Sequence, residues 1–270
     1  MKHTKTGPRA LLLAGALLLS LAAAQRGVGI APPRFELLLP PGGAATKTVE
    51  VFSHDLPDQM IEVAVVDWWL DPRGTVQELP RGANPYSAAP WLQVDQNPFS
   101  LSSDTARQVR FSLQLPGGPL AGSYWTAIAF TTKPRPARDA NGMAISLRTR
   151  VLAIVYVTIP GSEKPAAALQ GISIQTGADG GRFVLADVIN KGNVYLRLRG
   201  ELRFVDARGA VVRRLELPER VLLRKGLVRY RLRIPADLPA DVVLAAVEIL
   251  PRGPAESDGG PPLYSEVNLR

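Results

Sequence analysis

Past residue 24, no stretch of this chain repeats its apolar residues at i, i+3 and i+4, while run after run alternates them at period two. That pattern argues against packed helices and leaves strands with one face on a core. "ATKTVEVFS" sets Thr46, Thr48 and Glu50 on one side and Lys47, Val49, Val51 and Ser53 on the other. "RQVRFSLQLP" places Val109, Phe111, Leu113 and Leu115 two apart. In the first half, strand-like runs fall at 34–39, 46–52, 60–70, 99–101, 108–115, 122–131 and 143–159. A second series falls at 169–175, 182–189, 196–206, 211–217, 227–234, 242–250 and 264–269. Gly- and Pro-rich turns such as "PPGGAA", "DPRG" and "LPGGPLAG" punctuate them, and "LPERVLLRKG" reads as a connection. Seven short strands with such punctuation predict an immunoglobulin-like sandwich, and the chain has two sets. "GSEKPAAALQ", at 161–170, is the boundary, which gives domains over 25–161 and 162–270. The flexible "GPAESDGGPP" precedes the last strand.

The first 24 residues are set apart from this. Lys2, Lys5 and Arg9 precede an apolar run from Ala10 to Leu21, then Ala22, Ala23 and Ala24 before Gln25. This is the pattern of a secretory signal peptide cleaved after Ala24, too short to span a bilayer. The mature chain is therefore expected outside the cytoplasm, peripheral to a membrane at most. The whole chain carries +8, and removing the three basic residues of the leader leaves +5. Arg197, Arg199 and Arg203, and Arg229, Arg231 and Arg233, recur at even spacings, which places each set on one face of a strand, expected to be solvated. A nucleic-acid groove would need aromatics interleaved, and Tyr230 alone does not supply them.

There is no cysteine, so no disulfide and no thiol chemistry. His54, in "FSHDLPD", is the single histidine beyond the leader, so the usual zinc sites and Ser-His pairs cannot be assembled. Asp67 and Asp71 flank a Trp-Trp-Leu strand end and suggest turn chemistry. No catalytic residues, metal site, cofactor or small-molecule substrate is predicted. Trp68, Trp69, Trp91 and Trp125 all lie in the first half, and most of them read as core or sheet-surface aromatics.

One stretch resists a simple assignment. In "NGMAISLRTRVLAIVYVTIPG", Met143, Ile145, Leu147, Thr149 and Val151 alternate with small or charged residues, whereas Leu152 to Val157 is apolar nearly throughout. The second half reads as a strand buried on both faces; the first buries one face against something unspecified. Its apolar row either packs inside its own sandwich or meets a partner.

Several stretches resemble the periplasmic pilus chaperones of the PapD-like family. "PPRFELLLPPGGAATKTVEVFS" resembles that family's first hairpin, with Arg34 at the place of its cleft arginine. "APWLQVDQNPFSLSSDTARQVRFSL", "GSYWTAIAF" and "MAISLRTRVLAIVYVTIP" are similar to later strands in order and spacing, and together they cover about residues 30–160. The second domain resembles the family in size and place alone. The resemblance implies a periplasmic chaperone that binds pilus or surface-fibre subunits by lending an edge strand, with an outer-membrane usher as a possible further partner. Met143, Ile145 and Leu147 would be the donated row, and Arg34 with Arg150 would anchor a subunit carboxylate. The sequence departs from the family at Leu152, where a lysine is usual; Arg150 lies two residues earlier, about 6.6 Å along a strand. It departs again at Ala121-Gly122-Ser123, where Arg-Glu-Ser is usual. The other function in view is a non-catalytic envelope protein that holds a cell-wall polymer or surface partner on Trp68 or Trp69 with Trp91.

Overall fold

The computed structural model describes residues 27–269 except 55–56 and 139–140, so the expected leader lies outside the described residues. Alternation becomes strand almost throughout. The first half contributes β1 (Gly27–Ala31), β2 (Arg34–Leu38), β3 (Ala44–His54), β4 (Gln59–Leu70), β5 (Val76–Leu79), β6 (Leu92–Val94), β7 (Phe99–Leu101), β8 (Ala106–Gln114), β9 (Gly122–Thr132), β10 (Arg135–Arg138), β11 (Ala144–Leu147) and β12 (Arg150–Ile159). The second contributes β13 (Ala167–Thr176), β14 (Arg182–Asn190), β15 (Leu196–Asp206), β16 (Val211–Leu222), β17 (Leu227–Arg233), β18 (Val242–Arg252) and β19 (Leu263–Asn268).

In the first half one sheet runs β1-β3-β8-β6 and the facing sheet β2-β12-β9-β4-β5, with β7 on β4. The first segment is shared: β1 pairs β3 in one sheet, and after two prolines β2 pairs β12 in parallel in the other. This is the strand order of an immunoglobulin sandwich. Val49, Val51, Phe111 and Leu113 from one sheet meet Ile128, Phe130, Val155 and Val157 from the other. Phe35 meets Phe111 edge-on at 4.9 Å. In the second half β13-β14-β17 faces β16-β15-β18-β19 around Val184, Val188, Leu198, Phe204 and Val247. The chain is thus all-β, two immunoglobulin-like sandwiches in tandem.

Four strands were not legible as runs: β1, β5, β6 and β10. The segment expected to be a connection at 217–226 instead continues β16 to Leu222, since Val221 and Leu222 pair with β15 and Leu222 enters the second core. The expected strand 143–159 is broken at Arg148 and Thr149 into β11 and β12.

The two sandwiches meet on the outer face of the β12-β9-β4 sheet, where Trp68, Trp125 and Tyr156 pack against Tyr195 and Leu223. Tyr156 and Tyr195 stack at 4.2 Å. The joint closes on Gly122, whose N–H donates to Ser162 Oγ at 2.9 Å while the next amide donates to Asn193 O at 2.9 Å. Gly122 has φ +76°, and a Cβ there would stand 2.1 Å from Asn193 O. Gly122→Ala is expected to destabilise the chain by about 1–3 kcal/mol in urea unfolding. An unchanged midpoint would show that the joint is not packed this way.

Candidate functional site

The antiparallel ladder of β9 with β12 runs from Gly122↔Ile159 to Thr131↔Arg150, and its far end leaves the sandwich as an arm. Beyond it, β10 pairs β11 from Arg135↔Leu147 to Arg138↔Ala144. Between the pairs Thr131↔Arg150 and Arg135↔Leu147 the chain advances four residues on one side and three on the other. The extra residue falls at Lys133–Pro134, where proline has no N–H for a ladder.

The side that takes the extra residue decides the faces. Alternation on the β11–β12 side stays in phase, so Arg148 and Arg150 share the outer face with Leu152, Ile154 and Tyr156. Arg148 lies 3.5 Å from Glu62 on that face, and Arg150 binds Thr131 there. Met143, Ile145 and Leu147 are in phase with Val155 and Val157, which are sealed in the first core. The continued row is open to water, with Met143 67%, Ile145 36% and Leu147 44% exposed. Among the described residues β10 and β11 pair with no other strand, so the outer edge of β11 presents unused backbone groups. β2 covers β12 only from Ile154 onward, where Ile154 N donates to Pro33 O at 3.0 Å.

Arg34 and Arg150 are not brought together. Arg34 stands opposite Ile154, four positions along β12 from Arg150, or roughly 13 Å of strand. Its Nε is 2.9 Å from Glu36, and its side chain is half exposed. Arg150 binds Glu78 through two N–H groups, Nε at 2.9 Å and Nη2 at 2.6 Å. Leu152 lies between the two arginines on the outer face.

β4 supplies a roof over this face. It pairs β9 as far as Val66↔Ala127, after which residues 67–70 leave to pair β5. The place beside Trp125 is taken by Tyr86, whose carbonyl accepts from Trp125 N at 3.0 Å. Asp67, fully buried, holds that returning loop by accepting from Asn84 N at 3.0 Å and Ser87 Oγ at 2.7 Å. Asp71 does form a turn, accepting from Arg73 N and Thr75 N. A cavity of about 410 Å³ remains between Leu70 and Val76 of the hairpin, Ile154 and Tyr156 of the sheet, and Pro218 and Val221 of β16.

The side of the cleft next to Arg34 is charged. Arg197, 2% exposed, binds Glu36 across the domains and Glu219 at 3.2 Å in its own sheet. Arg199 extends the chain to Glu219 at 2.6 Å. Arg197 thus departs from the solvated stripe expected of it, because the first sandwich covers the end of that face. Burial pushes the Glu36 carboxyl up, but Arg197, helped by the Tyr195 hydroxyl, the Ala255 amide and Arg34, outweighs it and holds it below its ordinary value. Nothing in either local sequence marks this pair, which spans 161 positions.

The tryptophans form no common platform. Trp68 is 3% exposed and Trp125 fully buried. Trp69 packs on the interdomain side, while Trp91 packs on the first core against Tyr124 at 4.8 Å. His54 Nδ1 lies 3.0 Å from Asp104. Among the described residues no group of three or more His, Cys, Asp or Glu is placed to hold a metal ion, and no helix is long and apolar enough to cross a membrane.

No family model and no curated protein matches the chain. Among solved structures it is similar to the E. coli chaperone DraB, at 12% identity and TM-score 0.43 over 91% of this chain and 98% of that one. The YadV chaperone aligns at 10% identity and TM-score 0.44, over 90% and 99%. A chain of the Salmonella enterica SafA pilin–SafB chaperone complex aligns at 10% and 0.42, over 91% and 99%.

A carboxylate whose pKa is lowered on folding stabilises the fold above its unfolded value, and that contribution is lost as pH falls through the folded value. Glu36→Gln is therefore expected to cost about 2–3 kcal/mol near neutral pH. Below about pH 4.5, the ordinary glutamate value, the difference from wild type should shrink. Urea unfolding of both proteins from pH 3 to 7 checks this; a difference independent of pH would refute the assignment.

Proposed function

We propose that this chain is a non-catalytic periplasmic chaperone that holds pilus or surface-fibre subunits by lending them β11. The observation that carries the proposal is the exposed apolar row of the arm, in phase with a buried core strand and bordered by an open strand edge. A subunit that lacks a strand gains backbone hydrogen bonds from that edge and side chains for its own core from Ile145 and Leu147, joined by Met143. Each such side chain removed from water contributes on the order of 1.5–3 kcal/mol. An apolar edge of this kind is otherwise a template for aggregation, so a partner or a covering segment is physically expected. In the same proposal the leader is removed after Ala24, and residues 25–161 form the subunit-binding domain ahead of a second domain over 162–270.

The carboxylate-anchoring role divides. Arg34, half exposed at the mouth of the cleft, is available to a subunit carboxylate once it turns from Glu36. Arg150 is available only if Glu78 releases it.

The first test is purification of the mature protein from its native envelope, with mass spectrometry of what remains bound. A small strand-rich exported protein in a one-to-one complex is expected. Ile145→Asp should abolish that complex and leave stability within about 0.5 kcal/mol of wild type, since the side chain makes no core contact. Undiminished co-purification with the variant would refute the donated row.

A further inference from the structure

Arg150 and Glu78 lie on strands that share no ladder: in the sheet order, β9 and β4 stand between β12 and β5. The pair forms because the end of β4 and all of β5 fold back over the sheet face. The turn of that hairpin is seated on the second domain, where Arg229 N donates to Pro72 O at 2.7 Å and Arg220 binds Arg73 O. The β5 arm is tied to β12 by Glu78, two residues past Val76, which faces the cavity opposite Ile154. The hairpin is thus seated on the second domain at its turn, while β5, laddered to β4 from Asp67↔Leu79 to Leu70↔Val76, reaches β12 through the Glu78 ion pair.

Three of the five N–H groups of the Arg150 guanidinium are used in this arrangement, and its side-on fork is taken. Nε and Nη2 face Glu78 in the fork geometry that a carboxylate fits best, and Nη1 donates to Thr131 Oγ1. No further carboxylate can bind side-on without removing Glu78. The two pairs of the cleft differ in how firmly they are held. Arg197 is almost wholly buried against Glu36, whereas the Arg150 and Glu78 side chains are 33% and 38% exposed. Water screens the second pair and can solvate either member when they part, so it exchanges where the first cannot.

We propose that β5 is an autoinhibitory strap: Glu78 holds the side-on fork of Arg150 as an internal carboxylate, and a partner carboxylate must displace it to take that fork at the root of the arm. This rests on the proposal that the β11–β12 edge receives a partner strand. In the empty protein the strap keeps Arg150 satisfied and closes the cavity beside Val76. Occupation by a strand ending in a carboxylate frees Glu78 and loosens β5.

The probe is a synthetic octapeptide of alternating valine and threonine, made with a free C-terminal carboxylate and as its amide, titrated calorimetrically into wild type, Glu78→Gln and Arg150→Gln. Glu78→Gln should bind the acid form about three- to tenfold more tightly than wild type and the amide form equally. Arg150→Gln should lose the preference for acid over amide. Amide hydrogen exchange over residues 76–79 should quicken in Glu78→Gln while the remainder of the chain is unchanged. If wild type and Glu78→Gln bind the acid form equally, or exchange over 76–79 is unchanged, the strap is refuted and strand donation stands. If neither peptide binds either protein, both proposals fall.

Discussion

Everything else in the first sandwich hangs on the antiparallel ladder between β9 and β12. Ten successive pairs fix the register from Gly122↔Ile159 to Thr131↔Arg150. Register in a half-buried strand is absolute, since a slip of one residue would turn Val155 and Val157 out of the core and Leu152 and Tyr156 into it. One end of the ladder is the joint with the second domain, where Gly122 admits the Asn193 backbone. The other end becomes the arm.

The two faces of that ladder are stabilised by different physics. The inner face is almost wholly apolar and carries no charged side chain. The outer face combines stacked aromatics with charge: Trp68 meets Tyr156 edge-on at 5.9 Å, Tyr156 stacks on Tyr195, and Arg197 beyond them binds Glu36. A buried guanidinium is tolerated only when its charge is matched, and Glu36 and Glu219 match it from opposite domains. Such a pair adds little net stability over an apolar contact, but it is intolerant of misplacement. It joins the directional hydrogen bonds of Gly122 and Ser123 at the other side of the joint.

The fold class was legible because period-two alternation is a local signal, and Val49, Phe111 and Leu113 all fall on the faces it assigns. Short or covered strands were not legible. β5 reads Val-Gln-Glu-Leu, with no apolar row, and pairs only because the hairpin places it beside Trp68 and Trp69. Residues 217–222 look like a proline-containing connection, yet they continue β16 because Val221 and Leu222 have the first domain and the second core to bury against. Arg197 could not be told from Arg199 by sequence, since both occupy one strand face and only the fold decides which end is covered. The candidate site was half legible: the alternating row was evident at Met143, Ile145 and Leu147, but the partners of Arg34 and Arg150, Glu36 and Glu78, depend on contacts that the sequence does not encode locally.

The exposed row follows from a conflict that the chain does not resolve internally. Alternation from Met143 to Val151 leads into a strand buried on both faces from Leu152 to Val157, but the first core ends near Val151, beyond the point where the first segment passes from β2 to β1 in the other sheet. The residues beyond it keep the pattern of a core strand without the core. Burying them would need the arm to fold back, and on the opposite face of its root Arg148 and Arg150 pair with Glu62 and Glu78. The row is thus exposed because the strand's alternation runs on past the end of the core it matches, and the charged groups on the opposite face are at home in water.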